Sequence, residues 1–161
     1  MRVQPFALEN WPGVWSILEP VFRDGTTYAV PRDMTEEAAR DFWTGPGKQI
    51  WVAVEEGKIV GSYFLKANQM GGGSHVCNCG YVTSAQHRGK GIATRLCEHS
   101  QEQAVASGFR AMQFNFVVST NEGAVRLWKQ LGFEVVGRLH EAFDHPQRGF
   151  VEALVMFKTL R

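Results

Sequence analysis

The segment Tyr81-Val82-Thr83-Ser84-Ala85-Gln86-His87-Arg88-Gly89-Lys90-Gly91-Ile92-Ala93 constrains this chain more than any other. Residues 75–83 read as a strand, which turns through Gln86-His87-Arg88-Gly89 into a helix of about eighteen residues. Ile92, Ala93, Leu96, Cys97, Ser100 and Ala104 fall on one face of that helix. A strand feeding directly into an amphipathic helix must place the helix against a sheet. The turn also carries chemistry. The first turn of a helix has unpaired N–H groups and the positive end of the helix dipole. Glycines let a ligand come close to that backbone. Together these form a cradle for a diphosphate, and Arg88 and Lys90 add positive charge at the same place.

Other phosphate-binding motifs share this logic but do not match. A Walker A loop, Gly-x-x-x-x-Gly-Lys-Ser/Thr, is absent. The dinucleotide fingerprint Gly-x-Gly-x-x-Gly would need glycine at 94, where Thr94 stands, and it belongs early in its fold rather than past mid-chain.

The rest of the chain supplies the partners of this unit. Residues 2–7 read as a short strand. Asn10 and Pro12 open a helix running to about Phe22, and Thr35-Glu36-Glu37 opens a second through Phe42 and Trp43. Ile50, Val52 and Val54 alternate in a strand, Glu56-Gly57 turns, and Ile59 to Lys66 returns. Residues 110–118 form an apolar strand, a helix spans about 121–131 and ends at Gly132, and strands follow at 133–139 and 150–158. The predicted class is α/β with a mixed sheet.

With 161 residues, one domain over 1–161 is expected. The formal net charge of +1 gives no electrostatic case for nucleic acid or a membrane surface as partner. No apolar run approaches the roughly 20 residues of a membrane span. Cys77, Cys79 and Cys97 make an odd count without framework spacing, which favours a reduced, cytoplasmic setting. His75, Cys77 and Cys79 share a strand face, but no second cysteine pair completes a zinc pattern, so no metal is expected.

Gln86-x-x-Gly89-x-Gly91 on a strand-to-helix turn resembles the first motif of the GCN5-related N-acetyltransferases. Asn121-x-x-Ala124-x-x-Leu127-Trp128, closed by Gly132-Phe133, resembles that family's second motif, one helix and one strand further on. The resemblance implies an acyl-CoA N-acyltransferase fold with about four helices. Its sheet would be mostly antiparallel, splayed between strands 4 and 5, with a bulge in strand 4 near the splay. It implies acetyl-CoA as co-substrate, held by Tyr81, Val82, Thr83, His87, Arg88, Gly89, Lys90, Gly91, Ile92, Ala93, Asn121 and Trp128. Catalytic roles fall to a backbone N–H at Val82, polarising the thioester carbonyl, and to Asn121. A homodimer is also implied.

A narrower resemblance lies in Gly25-Thr26-Thr27-Tyr28, Lys66-Ala67-Asn68, Ser74-His75-Val76-Cys77-Asn78 and Phe114-Asn115-Phe116-Val117. These look like the L-azetidine-2-carboxylate acetyltransferases, which acetylate cyclic imino acids. That branch implies substrate contacts for Asn78 and Asn115, and Thr26 and Tyr28 lie where the fold forms an acceptor wall. Alternation groups Asn78, Gly80 and Val82 on one face, and Asn115 with Gln113 and Val117. An ordinary amino acid, as in phosphinothricin or methionine-sulfoximine acetyltransferases, is the alternative acceptor. A non-catalytic acyl-CoA-binding module is the alternative function, because Trp128 stands where many relatives carry a tyrosine that protonates the departing thiolate. His75, Asp144 and His145 are candidate bases.

Overall fold

The computed structural model describes residues 1–160. Strand β1 (Arg2–Pro5) leads through one 3₁₀ turn to helices α1 (Trp11–Asp24) and α2 (Glu36–Thr44). Strands β2 (Gln49–Glu55), β3 (Lys58–Ala67) and β4 (Val76–Thr83) form an antiparallel meander. Helix α3 (Ile92–Ala106), β5 (Ala111–Val118), α4 (Glu122–Gln130), β6 (Glu134–His145) and β7 (Gly149–Thr159) complete the chain. The strands form one sheet in the order β1-β2-β3-β4-β5-β7-β6.

Helix starts follow the sequence except at Asn10, whose side chain accepts the N–H of Ala7 and does not cap α1. Thr35 caps α2 by accepting the N–H of Ala38 at 3.2 Å, and Pro12 sits in the first turn of α1. Trp11, Val14, Leu18 and Phe22 recur at helical spacing and are buried, with Trp43, Phe64 and Val82, on one face of the sheet. Leu96, Met112, Phe114, Trp128, Phe133 and Met156 fill the other face beneath α3 and α4. Each such side chain contributes about 1.5–3 kcal/mol by leaving water.

The pair β4–β5 is parallel and joins only Val76 to Ala111 and Cys77 to Met112. Beyond Cys77 the two strands part, which is the expected splay. The expected bulge in β4 is absent: its register with β3 runs without a shift from Ala67↔Cys77 to Gly61↔Thr83. The irregularity lies across the splay, in β5, where Phe114↔Met156 is followed by Val117↔Leu154. An extra residue there reverses the alternation. Val117 therefore joins Phe114 in the core and does not share a face with Asn115. The final hairpin is also longer than expected, with β6 continuing to His145.

Candidate active site

The splay leaves one edge of β4 without a strand partner. The N–H of Ser84 donates to Val60 O, and that of Asn68 donates to Val76 O. In an antiparallel ladder only alternate residues turn both backbone groups to the same neighbour. Val76, Asn78, Gly80 and Val82 therefore face β3 with theirs. Cys79, Tyr81 and Thr83 turn their N–H and C=O groups into the splay. The hydroxyl of Tyr28 confirms the direction, donating to the Tyr81 carbonyl at 2.7 Å. The donor expected at Val82 is thus engaged with Ser62, and the unpaired N–H groups lie at Cys79, Tyr81 and Thr83.

This edge lines a cleft of about 780 Å³ that runs to the start of α3. There the chain forms one 3₁₀ turn, Ala85–His87, and then passes Gly89 and Gly91 at φ +77° and +73°. A Cβ at either glycine would meet no atom within 4 Å, so the backbone lies open to the cleft. Gly91 caps α3 without a side chain, leaving the N–H groups of Ile92, Ala93 and Thr94 unpaired. Arg88 is exposed at the rim, and His87 Nδ1 lies 3.1 Å from Ser84 Oγ. Open glycine backbone, unpaired amides and a bare strand edge, all in one groove, fit a diphosphate followed by an amide-bearing arm. Lys90 is the exception in this turn: it is exposed and does not line the cleft.

Across the splay, Asn121 is the N-cap of α4, its Oδ1 accepting the N–H of Ala124 at 3.4 Å, and its amide also borders the cleft. Trp128 is buried between Tyr81 and Phe114, each with ring centroids at 5.1 Å. Its indole is a wall of the groove and offers no acid for a thiolate.

The opposite wall is apolar, built by Val21, Val30, Phe42 and Phe64 with Tyr28. Burial pushes the Tyr28 hydroxyl well above the usual phenol range, so it stays protonated and remains a donor. Asn78 Nδ2 donates to Gln113 O at 2.9 Å, bridging the strands just where their ladder ends. Its Oδ1 makes no protein hydrogen bond among the described residues. Asn115 is exposed, and both its polar atoms are engaged: Oδ1 by Gln113 Nε2 at 2.9 Å, Nδ2 by Asn68 Oδ1 at 2.7 Å. Thr26 does not reach this cleft; it lines an adjoining hollow.

The candidate bases fare unequally. His75 and Asp144 are exposed and line neither cavity. His145 is buried, and its Nδ1 accepts the N–H groups of Gln147 and Arg148 at 3.1 and 3.2 Å. The ring proton therefore sits on Nε2, and the ring presents a donor rather than a base. Sequence reasoning missed Phe64 and Phe114 as cleft walls, and Gln147 and Arg148 beside it. The one available signal was Gly80 in mid-strand, which marks a close approach: a Cβ there would stand 2.4 Å from the Phe64 ring.

Comparisons with known proteins agree with this geometry. The family model for the GNAT acetyltransferases matches residues 11–133. The N-acetyltransferase aca1 of Schizosaccharomyces pombe is 31% identical over 148 residues, covering 81% of this chain and 71% of that protein. The solved structure of a GCN5-related N-acetyltransferase from Kribbella flavida superposes with a TM-score of 0.93 at 38% identity, over 99% of this chain and 97% of the other. A phosphinothricin acetyltransferase from Sinorhizobium meliloti, solved in complex with AcCoA, shares the fold at a TM-score of 0.86 and 21% identity, over 99% of this chain and 88% of its own. With the family model spanning most of its length and a curated relative above 30% identity, this chain belongs to the GNAT family and is an acetyl-CoA-dependent N-acetyltransferase.

Proposed function

We propose that the enzyme acetylates the amine of a small imino or amino acid, with L-azetidine-2-carboxylate or a proline analogue as the leading acceptor, by direct transfer in a ternary complex. The observation that carries this reading is the bare edge of β4 facing an apolar wall with few polar groups. Such a groove suits a small, compact acceptor. Acetyl-CoA supplies the activated acetyl group. The N–H groups of Ile92, Ala93 and Thr94, with the open backbone at Gly89 and Gly91, hold its diphosphate. Thr83 pairs with its arm as a strand would. The N–H groups of Tyr81 and Cys79 take the polarising role first expected of Val82. Asn121 borders the same arm from α4, and Trp128 packs against it.

On the acceptor side, Tyr28 fixes the Tyr81 carbonyl and so holds the neighbouring N–H in place. The unpaired Oδ1 of Asn78 orients the amine. Asn115 acts indirectly, by tying Asn68 and Gln113 together at the end of the splay. The exposed apolar residues Val136 and Phe150 on the outer hairpin support a homodimer, and three free buried thiols suit a reducing cytoplasm.

The test is direct assay of CoA release with L-azetidine-2-carboxylate and proline analogues, set against phosphinothricin and methionine sulfoximine. Turnover of the imino acids supports the leading acceptor. Turnover of the open-chain amino acids alone replaces it with the phosphinothricin-type reading, which the shared fold of the Sinorhizobium enzyme keeps in view.

A further inference from the structure

Beside the cleft lies a second hollow, of about 490 Å³, that the transfer reaction as described does not use. Four separate parts of the chain build it. The α1–α2 loop contributes Thr26 and Thr27, the segment before α4 contributes Thr120 and Asn121, and the tip of the β6–β7 hairpin contributes His145, Gln147 and Arg148. From the phosphate turn only Arg88 reaches it.

Its lining has one chemical character. Every lining side chain carries a hydrogen-bond donor, although the Thr26 hydroxyl donates to Asp24; two are guanidinium groups, and none of the lining residues is acidic. The ion pairs among the described residues lie elsewhere, at Arg23–Glu19, Arg138–Glu152 and His140–Glu152, so neither Arg88 nor Arg148 has an acidic partner. His145 adds an independent sign. It is only 8% exposed, and its Nδ1 is held by two backbone N–H groups of the hairpin tip. Its Nε2–H makes no hydrogen bond, yet the one fully enclosed unpartnered side-chain atom among the described residues is Trp51 Nε1. The Nε2–H is therefore open to solvent, and His145 lines the hollow. The same two bonds hold the backbone of Gln147 and Arg148 against the ring, and His145 and Arg148 line the same hollow.

We infer that this hollow is an anion subsite that takes the carboxylate or a second acidic group of the acceptor, with Arg148 and the His145 Nε2–H as its principal donors. Arg–carboxylate geometry is the one a planar fork of donors fits best. The inference rests on reading the adjoining cleft as the acetyl-transfer site, because Thr27, Arg88 and Asn121 border both cavities. The diphosphate of CoA offers the same chemistry, and the experiment separates the two sources.

Inorganic sulfate is titrated calorimetrically into the full chain at pH 7.5, alone and with saturating CoA, for the wild type, Arg148→Gln and Arg148→Lys. Arg148 is exposed at a hairpin tip, and matching melting temperatures show that the variants are folded. The expected result is saturable sulfate binding that persists with CoA present. Arg148→Gln weakens it about tenfold, the effect of losing a charged hydrogen bond, and Arg148→Lys restores part of it. Sulfate binding that is absent, or equal in Arg148→Gln, overturns the subsite. Loss of all sulfate binding when CoA is present also overturns the acceptor assignment and gives the hollow to the coenzyme's diphosphate. Failure of every imino acid to turn over retires the acceptor named above but leaves the sulfate result to decide the subsite.

Discussion

Replacing Gly80 by alanine tests how tightly the acceptor wall is built. An added Cβ would stand 2.4 Å from Cε2 and 2.6 Å from Cζ of Phe64. Carbon atoms rest at about 3.5–4.0 Å, so the ring edge must retreat by roughly 1 Å. It has little room. Trp43 meets it edge-on at 4.9 Å, Phe42 lies at 6.2 Å, and the Lys48 ammonium sits 4.2 Å over its face. Overpacking of this kind costs about 1–3 kcal/mol. For a chain of this size each kcal/mol lowers the melting temperature by roughly 2–4 °C, so the expected loss is about 2–12 °C. The open direction for Phe64 is the cleft that it and Gly80 both line. Acceptor KM should therefore rise severalfold, while CoA affinity, set at the phosphate turn, changes less than about twofold. The cause is isolated by a double-mutant cycle with Phe64→Leu, read by thermal melts and urea titration. In the leucine background Gly80→Ala should cost at least about 1 kcal/mol less. Wild-type stability for Gly80→Ala, or the same penalty in both backgrounds, would refute the steric reasoning.

Three other expectations follow from the site. Gly89→Val forces a β-branched residue into φ +77° and sets a side chain in the open space of the cradle; it should weaken CoA by calorimetry at least about tenfold with a stability cost of about 1–2 kcal/mol, and unchanged CoA affinity would displace the diphosphate from this turn. Asn78→Ala should raise acceptor KM more than Asn115→Ala does, because Asn78 Oδ1 is unpaired and both polar atoms of Asn115 are engaged; equal loss of CoA binding in either variant would show misassignment. Lys48, beside the Phe64 and Phe42 rings, is pushed down from 10.5 to about 8, first by burial and then by the Lys66 charge. Between these values the unfolded chain binds the extra proton, so stability rises with pH from about 8. Tyr28 and Tyr63 are pushed up from 10.0 by burial, and stability they confer is lost as pH climbs past 10. Urea melts should show a rise between pH 8 and 10 that flattens in Lys48→Met, and an identical slope in the two proteins would exclude Lys48 as its source.

What the sequence discloses depends on how local the determining interaction is. Gly89, Gly91 and the uncapped start of α3 lie within one turn of chain, and the role proposed for them is legible from spacing alone. Asn121 is legible as a helix start for the same reason. Side-chain faces of β4 are legible too, since they follow from alternation. The direction of a backbone N–H is not: it is set by which residues of β3 form the close pairs, a register fixed some twenty residues away. Hence Val82 is correctly placed on the cleft wall while the unpaired donors belong to Cys79, Tyr81 and Thr83. The bulge at Asn115 and Phe116 is hidden similarly, because an extra residue in β5 is visible only against β7. This difference separates the two halves of the site. The proposed coenzyme side is written in one continuous segment, residues 81–94, together with the start of α4. The proposed acceptor side draws on Thr27, Asn78, His145 and Arg148, which only the closed sheet brings together. A short motif can therefore identify the acetyl donor, whereas the surface proposed to select the acceptor is one that no single stretch of this sequence contains.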